Sequence, residues 1–163
     1  MDTVFQKILL KIEILRLGNK GYSKLMHKII FGGFNGKFKN TRTPNDWLTR
    51  DVECVDNYTN DPLCGFVVAN QLWSDVIKGI ESVFDPKNIR LINKKIPILV
   101  FSGSNDPVGG MGQGTKKLNN CLLDNNCKSE LYLIDGARHE TLNETDRMTT
   151  YNYILSFLNN YLR

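Results

Sequence analysis

The sequence predicts an α/β fold in which two parallel strands with flanking helices follow a helical region. Two short, unbroken apolar runs, residues 96–101 and 131–134, each lead into a polar turn containing glycine, which is typical of buried strands. A helix-like stretch at residues 116–123 lies between the two runs. Because parallel strands need such a crossover, we expect a β-α-β-α unit in the second half of the chain.

The first half of the chain is predicted to be helical and rich in loops. Residues 1–31 carry apolar side chains at helical spacing, and Gly18 and Gly21 break this pattern into two pieces. Residues 32–63 are rich in Gly, Asn, Asp and Pro, which favours irregular structure with short helices. The apolar stripe of the first helix, which is expected to face the core, consists of Val4, Phe5, Ile8, Leu9, Ile12 and Leu15.

Two further helices are predicted from capping residues and apolar stripes. Ser74 or Asp75 is expected to cap a helix that has one apolar side and ends before Pro86. Asn143 followed by Asp146 is expected to cap the last helix. The apolar stripe of that last helix consists of Met148, Tyr151, Ile154, Leu155, Leu158 and Leu162.

The composition is that of a soluble globular protein. The 163 residues are 41% hydrophobic and 23% charged, and no apolar run approaches the roughly 18 residues needed to span a membrane. We expect no export signal and a cytoplasmic location, because Asp2, Lys11 and Glu13 interrupt the amino-terminal segment. The four cysteines follow neither a zinc-site spacing nor a secreted disulfide framework, so free thiols and no metal are expected.

Basic residues are concentrated in the amino-terminal third. Residues 1–50 contain ten Lys or Arg and three Asp or Glu. Such an excess suits an anionic lipid surface or a nucleic-acid backbone, but a solvated helix face is the simpler explanation. Because no aromatic residues are interleaved with the lysines, nucleic acid is not an expected partner. Peripheral contact with a membrane surface stays open as an alternative.

A glycine-rich loop follows the first predicted strand. Residues 109–116, GGMGQGTK, have the outer glycines of a phosphate loop, but Thr115 and Lys116 stand in reversed order. The loop also begins eight residues after the apolar run ends, whereas a phosphate loop follows its strand almost at once. Nucleotide binding is therefore not predicted, and no cofactor is expected.

An acid and a histidine follow the two predicted strands. Asp106 comes just after the first strand, in SGSNDP, and His139 comes just after the second, in DGARHE. Because neighbouring parallel strands end at one edge of the sheet, the two side chains can come within hydrogen-bond distance. The acid would fix the imidazole tautomer and leave the other ring nitrogen to act as a base. The alternative is an ordinary turn residue and an incidental histidine, and His27 is expected to be structural.

These residues resemble bacterial α/β hydrolases of the monoacylglycerol lipase and lysophospholipase group, often described as serine aminopeptidase-like. The similarity runs through IPILVFSGSNDPVGG, LYLIDGARHETLNE and a segment similar to the lid of that group, TRTPNDWLTRDVECVDNYTNDPLCGF. The resemblance implies that Asp106 is the acid and His139 the base of a catalytic triad. It also implies a helical lid-like region at residues 1–88 and a carboxy-terminal β-α-β-α portion of the hydrolase core at residues 89–163.

The sequence lacks the nucleophile that this group of enzymes uses. The GxSxG turn and the oxyanion-hole loop, which precede the acid in such enzymes, have no counterpart. GYSKL at residues 21–25 lacks the second glycine and a preceding strand, and Ser102 and Ser104 lie on the loop of the acid. Two buried strands would also leave open sheet edges, so more strands are expected than the sequence contains. Together these observations predict half of an enzyme, arising from a truncation, a split gene or an internal start.

Two functions follow from this expectation. The first is a serine hydrolase of lipid or other carboxylic esters, in which a separate amino-terminal half supplies the serine and the isolated chain is inactive. The second is a non-catalytic module that binds an apolar ligand or a partner protein. The open strand edge further predicts that the isolated chain is poorly stable or self-associates.

Aromatic residues of the lid-like region are candidates for substrate contact. Phe66 and Trp73 are the predicted substrate-binding residues, in a set of aromatic side chains that would either line an acyl tunnel or pack the core of this region. The set consists of Phe31, Phe34, Phe38, Trp47, Phe66 and Trp73. The segment DWLTRD is expected to be structural, with a turn tied by an ion pair between Arg50 and an aspartate of the segment.

Overall fold

The computed structural model describes residues 3–162, so residues 1–2 of the predicted first helix and residue 163 lie outside the described residues. The elements are α1 (Thr3–Leu17), α2 (Lys24–Asn35), α3 (Val52–Asn60), α4 (Asn70–Val83), α5 (Pro86–Arg90), β1 (Pro97–Gly103), α6 (Gln113–Asp124), β2 (Lys128–Ile134), a 3-10 turn (Thr141–Asn143) and α7 (Arg147–Tyr161). The predicted order of strand, helix, strand and helix in the second half is confirmed. No helix within the described range is both long and apolar enough to cross a membrane.

The strands β1 and β2 form a parallel sheet that is connected through α6. Their register pairs Pro97 with Lys128 and Gly103 with Ile134, so the two strands begin and end at the same level. Both strands are longer than the apolar runs that predicted them, because the ladder also includes polar residues at the start of β2. The buried core beside the sheet consists of Val100, Leu122 and Cys127.

The helices α1, α2 and α4 pack around a second core. Its buried members are Leu10, Met26, Ile30 and Trp73. The turn between α1 and α2 holds the start of α4, because the Gly21 carbonyl accepts a hydrogen bond of 2.8 Å from the Asn70 N–H. The buried Asn70 side chain also donates to the Gly18 carbonyl at 2.9 Å. These contacts replace a side-chain cap, so α4 begins at Asn70 and the predicted caps, Ser74 and Asp75, lie inside the helix.

The apolar stripe that was predicted to face the core from α1 is largely exposed. Exposure lies between 53% and 88% for Phe5, Ile8, Ile12 and Leu15. The helix instead buries Leu10 and Glu13. The Glu13 carboxylate tolerates this burial because it accepts hydrogen bonds from the Arg16 guanidinium, at 2.8 and 2.9 Å, and from the Ser23 hydroxyl, at 2.5 Å. The prediction is wrong because α1 carries apolar residues on two faces, and periodicity does not tell which face has a partner.

The stripe predicted for the last helix is also largely exposed. Within α7 the buried side chains are Thr150 and Phe157. Exposure reaches 55% to 77% for Met148, Leu155 and Leu162. Asp146 precedes α7 as predicted, but its side chain makes no capping hydrogen bond and pairs instead with the Arg50 guanidinium at 2.8 Å.

Candidate active site

Asp106 and His139 lie in the loops that follow β1 and β2. The two loops are joined directly, because the Asn105 N–H donates a hydrogen bond of 2.9 Å to the Ala137 carbonyl. The last residue of β1 is Gly103, where a Cβ atom would lie 2.1 Å from the Ala137 carbonyl oxygen. A glycine is therefore needed at this position to let the histidine loop approach the strand.

The two candidate side chains form a hydrogen-bonded pair. Nδ1 of His139 lies 3.1 Å from Oδ1 of Asp106. The Asp106 side chain is almost fully buried and also accepts hydrogen bonds from the Val108 N–H at 2.9 Å and the Ser102 hydroxyl at 3.2 Å. The His139 side chain is 38% exposed. The carboxylate is thus fixed by several hydrogen bonds, and the imidazole is the accessible member of the pair.

The pairing moves the pKa of both groups. Burial alone would raise the pKa of Asp106, but the hydrogen bonds from His139 and from the Val108 N–H outweigh this effect and lower it. The hydrogen bond to Asp106 raises the pKa of His139 against the opposing effect of burial. A proton on Nδ1 is thereby stabilised, and Nε2 is the nitrogen left to take up a second proton.

The indole of Trp47 packs against the imidazole of His139. The ring centroids of these two side chains are 5.2 Å apart, and the planes are tilted by 36°. Trp47 is buried, and its backbone N–H donates a hydrogen bond of 3.1 Å to Oδ1 of the Asn35 side chain. Phe31 and Phe34 contact the other parts of the indole, with centroid distances of 5.9 and 5.2 Å. The helical half of the chain therefore supports the histidine through an aromatic cluster.

Glu144 is a fully buried acid that joins the histidine loop to the segment DWLTRD. Its Oε1 accepts a hydrogen bond of 2.7 Å from the N–H of Arg138, the residue before His139. Its Oε2 accepts a hydrogen bond of 2.8 Å from Nε of Arg50. The backbone N–H groups of Arg50 and Thr145 lie within 3.3 Å of the same carboxylate. Glu144 is thus surrounded by donors from two segments that lie 94 residues apart in the sequence.

The ion pair predicted inside DWLTRD does not form. Arg50 binds Glu144 and Asp146, both beyond the segment. Asp51 caps α3 with its side chain and pairs with Arg147 at 3.1 Å. The sequence analysis missed these links and the contact of Trp47 with His139. The only indication of these contacts in the sequence was that DWLTRD and residues 142–144, LNE, both belong to the segments that carry the family resemblance.

The glycine-rich loop wraps around the acid. The N–H of Met111 donates a hydrogen bond of 2.7 Å to the carbonyl of Asp106. A Cβ atom on Gly109 would lie 3.1 Å from Oδ2 of Asp106 and 3.3 Å from the Ser102 hydroxyl. Gly110 and the following residues pass through positive φ angles, which lets the chain turn tightly here. The glycines of this loop therefore surround the carboxylate.

A largely apolar groove lies beside the loop of the acid. It has a volume of about 340 Å³ and is lined by side chains of α2 and α4 together with Pro107 and Val108. Trp73 lines this groove and packs against Phe31 with a centroid distance of 5.8 Å. Phe66 is 61% exposed and lies outside the lining of the groove. The structure thus brings Trp73, but not Phe66, to the neighbourhood of Asp106.

The serines noted in the sequence have structural roles. Ser23 is fully buried, where its hydroxyl caps α2 and donates to Glu13. Ser102 donates to Asp106, and the Ser104 hydroxyl accepts the N–H of Gly136 at 2.8 Å. Among the residues that the structure describes, no group of three His, Cys, Asp or Glu side chains is arranged to hold a metal ion.

Residues 4–146 match the sequence model of a hydrolase family described as serine aminopeptidase, S33. This range includes both Asp106 and His139 and most of the chain. The chain belongs to the serine aminopeptidase S33 family. The resemblance to α/β hydrolases that Asp106, His139 and the surrounding motifs indicated is therefore confirmed. Among curated proteins, none matches the sequence.

Two solved structures resemble this member of the S33 family. A thermostable carboxyl esterase from Bacillus coagulans, in complex with glycerol, has a TM-score of 0.85 and 24% identity over 97% of this chain and 52% of the esterase chain. A lipase in an open form has a TM-score of 0.81 and 23% identity over 94% of this chain and 50% of the lipase chain. The fold is that of an α/β hydrolase, and the chain spans about half the length of both structures.

Proposed function

We propose that this chain supplies the acid and the base of a serine hydrolase that acts on carboxylic esters of lipids, of the monoacylglycerol or lysophospholipid type. The observation that carries the proposal is the hydrogen bond of 3.1 Å between His139 and Asp106 at the ends of adjacent parallel strands. Membership of the S33 family supports the same chemistry. Asp106 is the triad acid and His139 the triad base.

The reaction would use Nε2 of His139 as the proton carrier. A serine hydroxyl, supplied by a separate amino-terminal half of the hydrolase, attacks the ester carbonyl and gives its proton to Nε2. Asp106 stabilises the imidazolium through Nδ1, and Nε2 then returns the proton to the departing alcohol. A water molecule then attacks the acyl-enzyme and gives its proton to Nε2, which returns it to the serine oxygen as the carboxylic acid is released.

The groove beside Asp106 supports an apolar acyl group as part of the substrate. Its lining is mainly aliphatic and aromatic, with Trp73, Ile77 and Ile80 from α4. Burial of an acyl chain in such a groove contributes roughly 0.8 kcal/mol for each methylene group, which favours long chains over acetate. Phe66 is retained as a weaker candidate for substrate contact, on the exposed side of the lid-like region.

The proposal is tested by complementation. The purified chain is assayed with nitrophenyl esters of acetate, butyrate and decanoate, alone and after co-expression with the amino-terminal half of an S33 esterase that contains its GxSxG serine. Turnover is expected only in the mixture, and it should be lost with His139→Ala and retained with His27→Ala as the matched control. Association of the two halves without turnover would instead indicate the second function, a non-catalytic module that binds an apolar ligand or a partner.

A further inference from the structure

A cavity of about 490 Å³ lies in the lid-like region, between α2 and the segment of residues 36–45. Its volume falls within the range of about 300–1,000 Å³ that is usual for small-molecule sites. Neither Asp106 nor His139 lines this cavity, and among the described residues only Phe31 is shared with the groove beside Asp106. The hydrolase mechanism therefore does not use this cavity.

The walls of the cavity combine aromatic rings with polar side chains. Phe31 and Phe38 supply the rings, and Pro44 adds a further apolar surface. His27 and Lys28, at neighbouring positions of α2, are among the polar members. Nδ1 of His27 is buried, and no hydrogen bond joins the imidazole to another residue within the described range. The imidazole is therefore available to donate a hydrogen bond through Nε2 to a molecule in the cavity.

The lining of the cavity carries positive charge and no carboxylate. Residues 24–45, which supply all of the lining except Gly65, contain five Lys or Arg and no Asp or Glu. Within residues 3–162, Lys28 forms no salt bridge, whereas Arg42 pairs with Asp56. An anion in the cavity would therefore meet an unpaired lysine and no acid in the lining, which favours its binding.

From the acid-free lining, the unpaired Lys28 and the imidazole of His27, we infer that this cavity binds a small organic carboxylate with an apolar body. The Lys28 ammonium and the His27 N–H bind the carboxylate, and the rings of Phe31 and Phe38 cover the apolar body. Inorganic phosphate suits the cavity less well, because it has no apolar part to place against these rings. The inference goes beyond the proposed function, because binding requires neither Asp106 nor a separate half of the hydrolase.

The test is a titration of the full chain with benzoate, followed by nuclear magnetic resonance of the imidazole signals. The sequence contains only two histidines, His27 and His139, so the two signals report the cavity and the catalytic pair separately. Benzoate is expected to shift the signals of His27 and to leave those of His139 unchanged. Acetate has the charge without the ring, and benzyl alcohol has the ring without the charge, so each is expected to bind at least about tenfold more weakly.

Two pairs of variants in α2 provide matched controls. Lys28→Gln is expected to weaken benzoate binding about tenfold, whereas Lys24→Gln, one turn away and outside the lining, should weaken it less than about twofold. Gly32→Leu places a side chain in the cavity and is expected to abolish binding, whereas Gly33→Leu, outside the lining, should retain it. A Cβ atom at either glycine would meet no other atom within 4 Å, so both variants are expected to fold.

The inference is overturned if benzoate leaves the His27 signals unchanged, or if acetate or benzyl alcohol binds as tightly as benzoate. It is also overturned if the two members of either variant pair weaken binding equally. Circular dichroism confirms that each variant keeps its helices, and the comparison of the three probes uses the unmodified chain alone. Because this titration contains no ester and no second half of the hydrolase, its failure and the failure of the complementation assay are separate results.

Discussion

Replacing Glu144 by alanine is expected to lower the free energy of unfolding by about 3–5 kcal/mol, the range for removing one partner of a buried ion pair. The carboxylate is fully buried and accepts hydrogen bonds from the backbone N–H of Arg138 and of Arg50 and from Nε of Arg50. The Arg50 side chain is 34% exposed, so its guanidinium can regain water. The two backbone N–H groups lose their carboxylate acceptor, and each buried donor left unsatisfied costs about 1–3 kcal/mol. A loss of this size is a large fraction of the roughly 5–15 kcal/mol that stabilises an ordinary domain.

The assay is equilibrium unfolding in urea, followed by the fluorescence of Trp47 and Trp73. The matched control is Asp146→Asn, which removes the second carboxylate on Arg50 at a site where the acid is 49% exposed. This control should change stability by about 1 kcal/mol or less, because exposed ion pairs contribute little. Glu144→Gln keeps the shape of the side chain and one acceptor oxygen, so its loss of stability is expected to lie between those of Glu144→Ala and Asp146→Asn. Equal stability of the Glu144→Ala and Asp146→Asn variants would refute the reasoning that Glu144 joins the histidine loop to the helical half.

Three further outcomes follow from the geometry around the pair. In a pH titration by nuclear magnetic resonance, the pKa of His139 is expected to lie above the ordinary value of 6.5. The pKa of His27 is expected to lie below that value, because burial lowers it. The Asp106→Asn variant should lower the pKa of His139 and leave the pKa of His27 unchanged. The stability that the pair contributes is expected to be complete between pH 3.8 and 6.5, the ordinary carboxyl and imidazole values. It should be lost as pH rises through the raised pKa of His139 and as pH falls through the lowered pKa of Asp106, and urea unfolding of the Asp106→Asn variant should lack this dependence. In urea unfolding, Gly103→Ala is expected to destabilise the chain by about 2 kcal/mol or more, because the added Cβ would overlap the Ala137 carbonyl. The control is Gly79→Ala, at an open position of α4, which should stabilise the chain by about 0.5–1 kcal/mol.

The positions of Asp106 and His139 could be predicted because they depend on strand topology. Two apolar runs with a helix between them favour a parallel crossover, and the residues that follow parallel strands meet at one sheet edge. The register of Gly103 with Ile134 places the two loops side by side, as that argument requires. The glycine-rich loop was likewise distinguished from phosphate loops by the reversed order of Thr115 and Lys116 and by its distance from the end of the preceding strand.

The faces of α1 and α7 could not be predicted in the same way. Periodicity identifies an apolar face, but both helices have apolar side chains on more than one face, and only the packing partner decides which is buried. In α1 the buried face includes the acid Glu13, which no pattern of hydrophobicity would select. The start of α4 was missed for a related reason, because carbonyl groups from a distant turn replace the side-chain cap at Asn70.

The contacts of His139 indicate why the helical half matters for the candidate site. The strands by themselves place the imidazole next to Asp106, but the indole of Trp47 covers one side of the ring, and the Arg50–Glu144 pair holds the backbone one residue before it. Trp47 and Arg50 both come from the segment DWLTRD, and Trp47 and Glu144 are buried, so a shift of that segment would move the imidazole. A base must keep its Nε2 within hydrogen-bond distance of the nucleophile to transfer a proton. The segment that resembles a lid therefore acts in this chain as a fixed support for the histidine, and the geometry of the acid–base pair depends on both halves of the sequence.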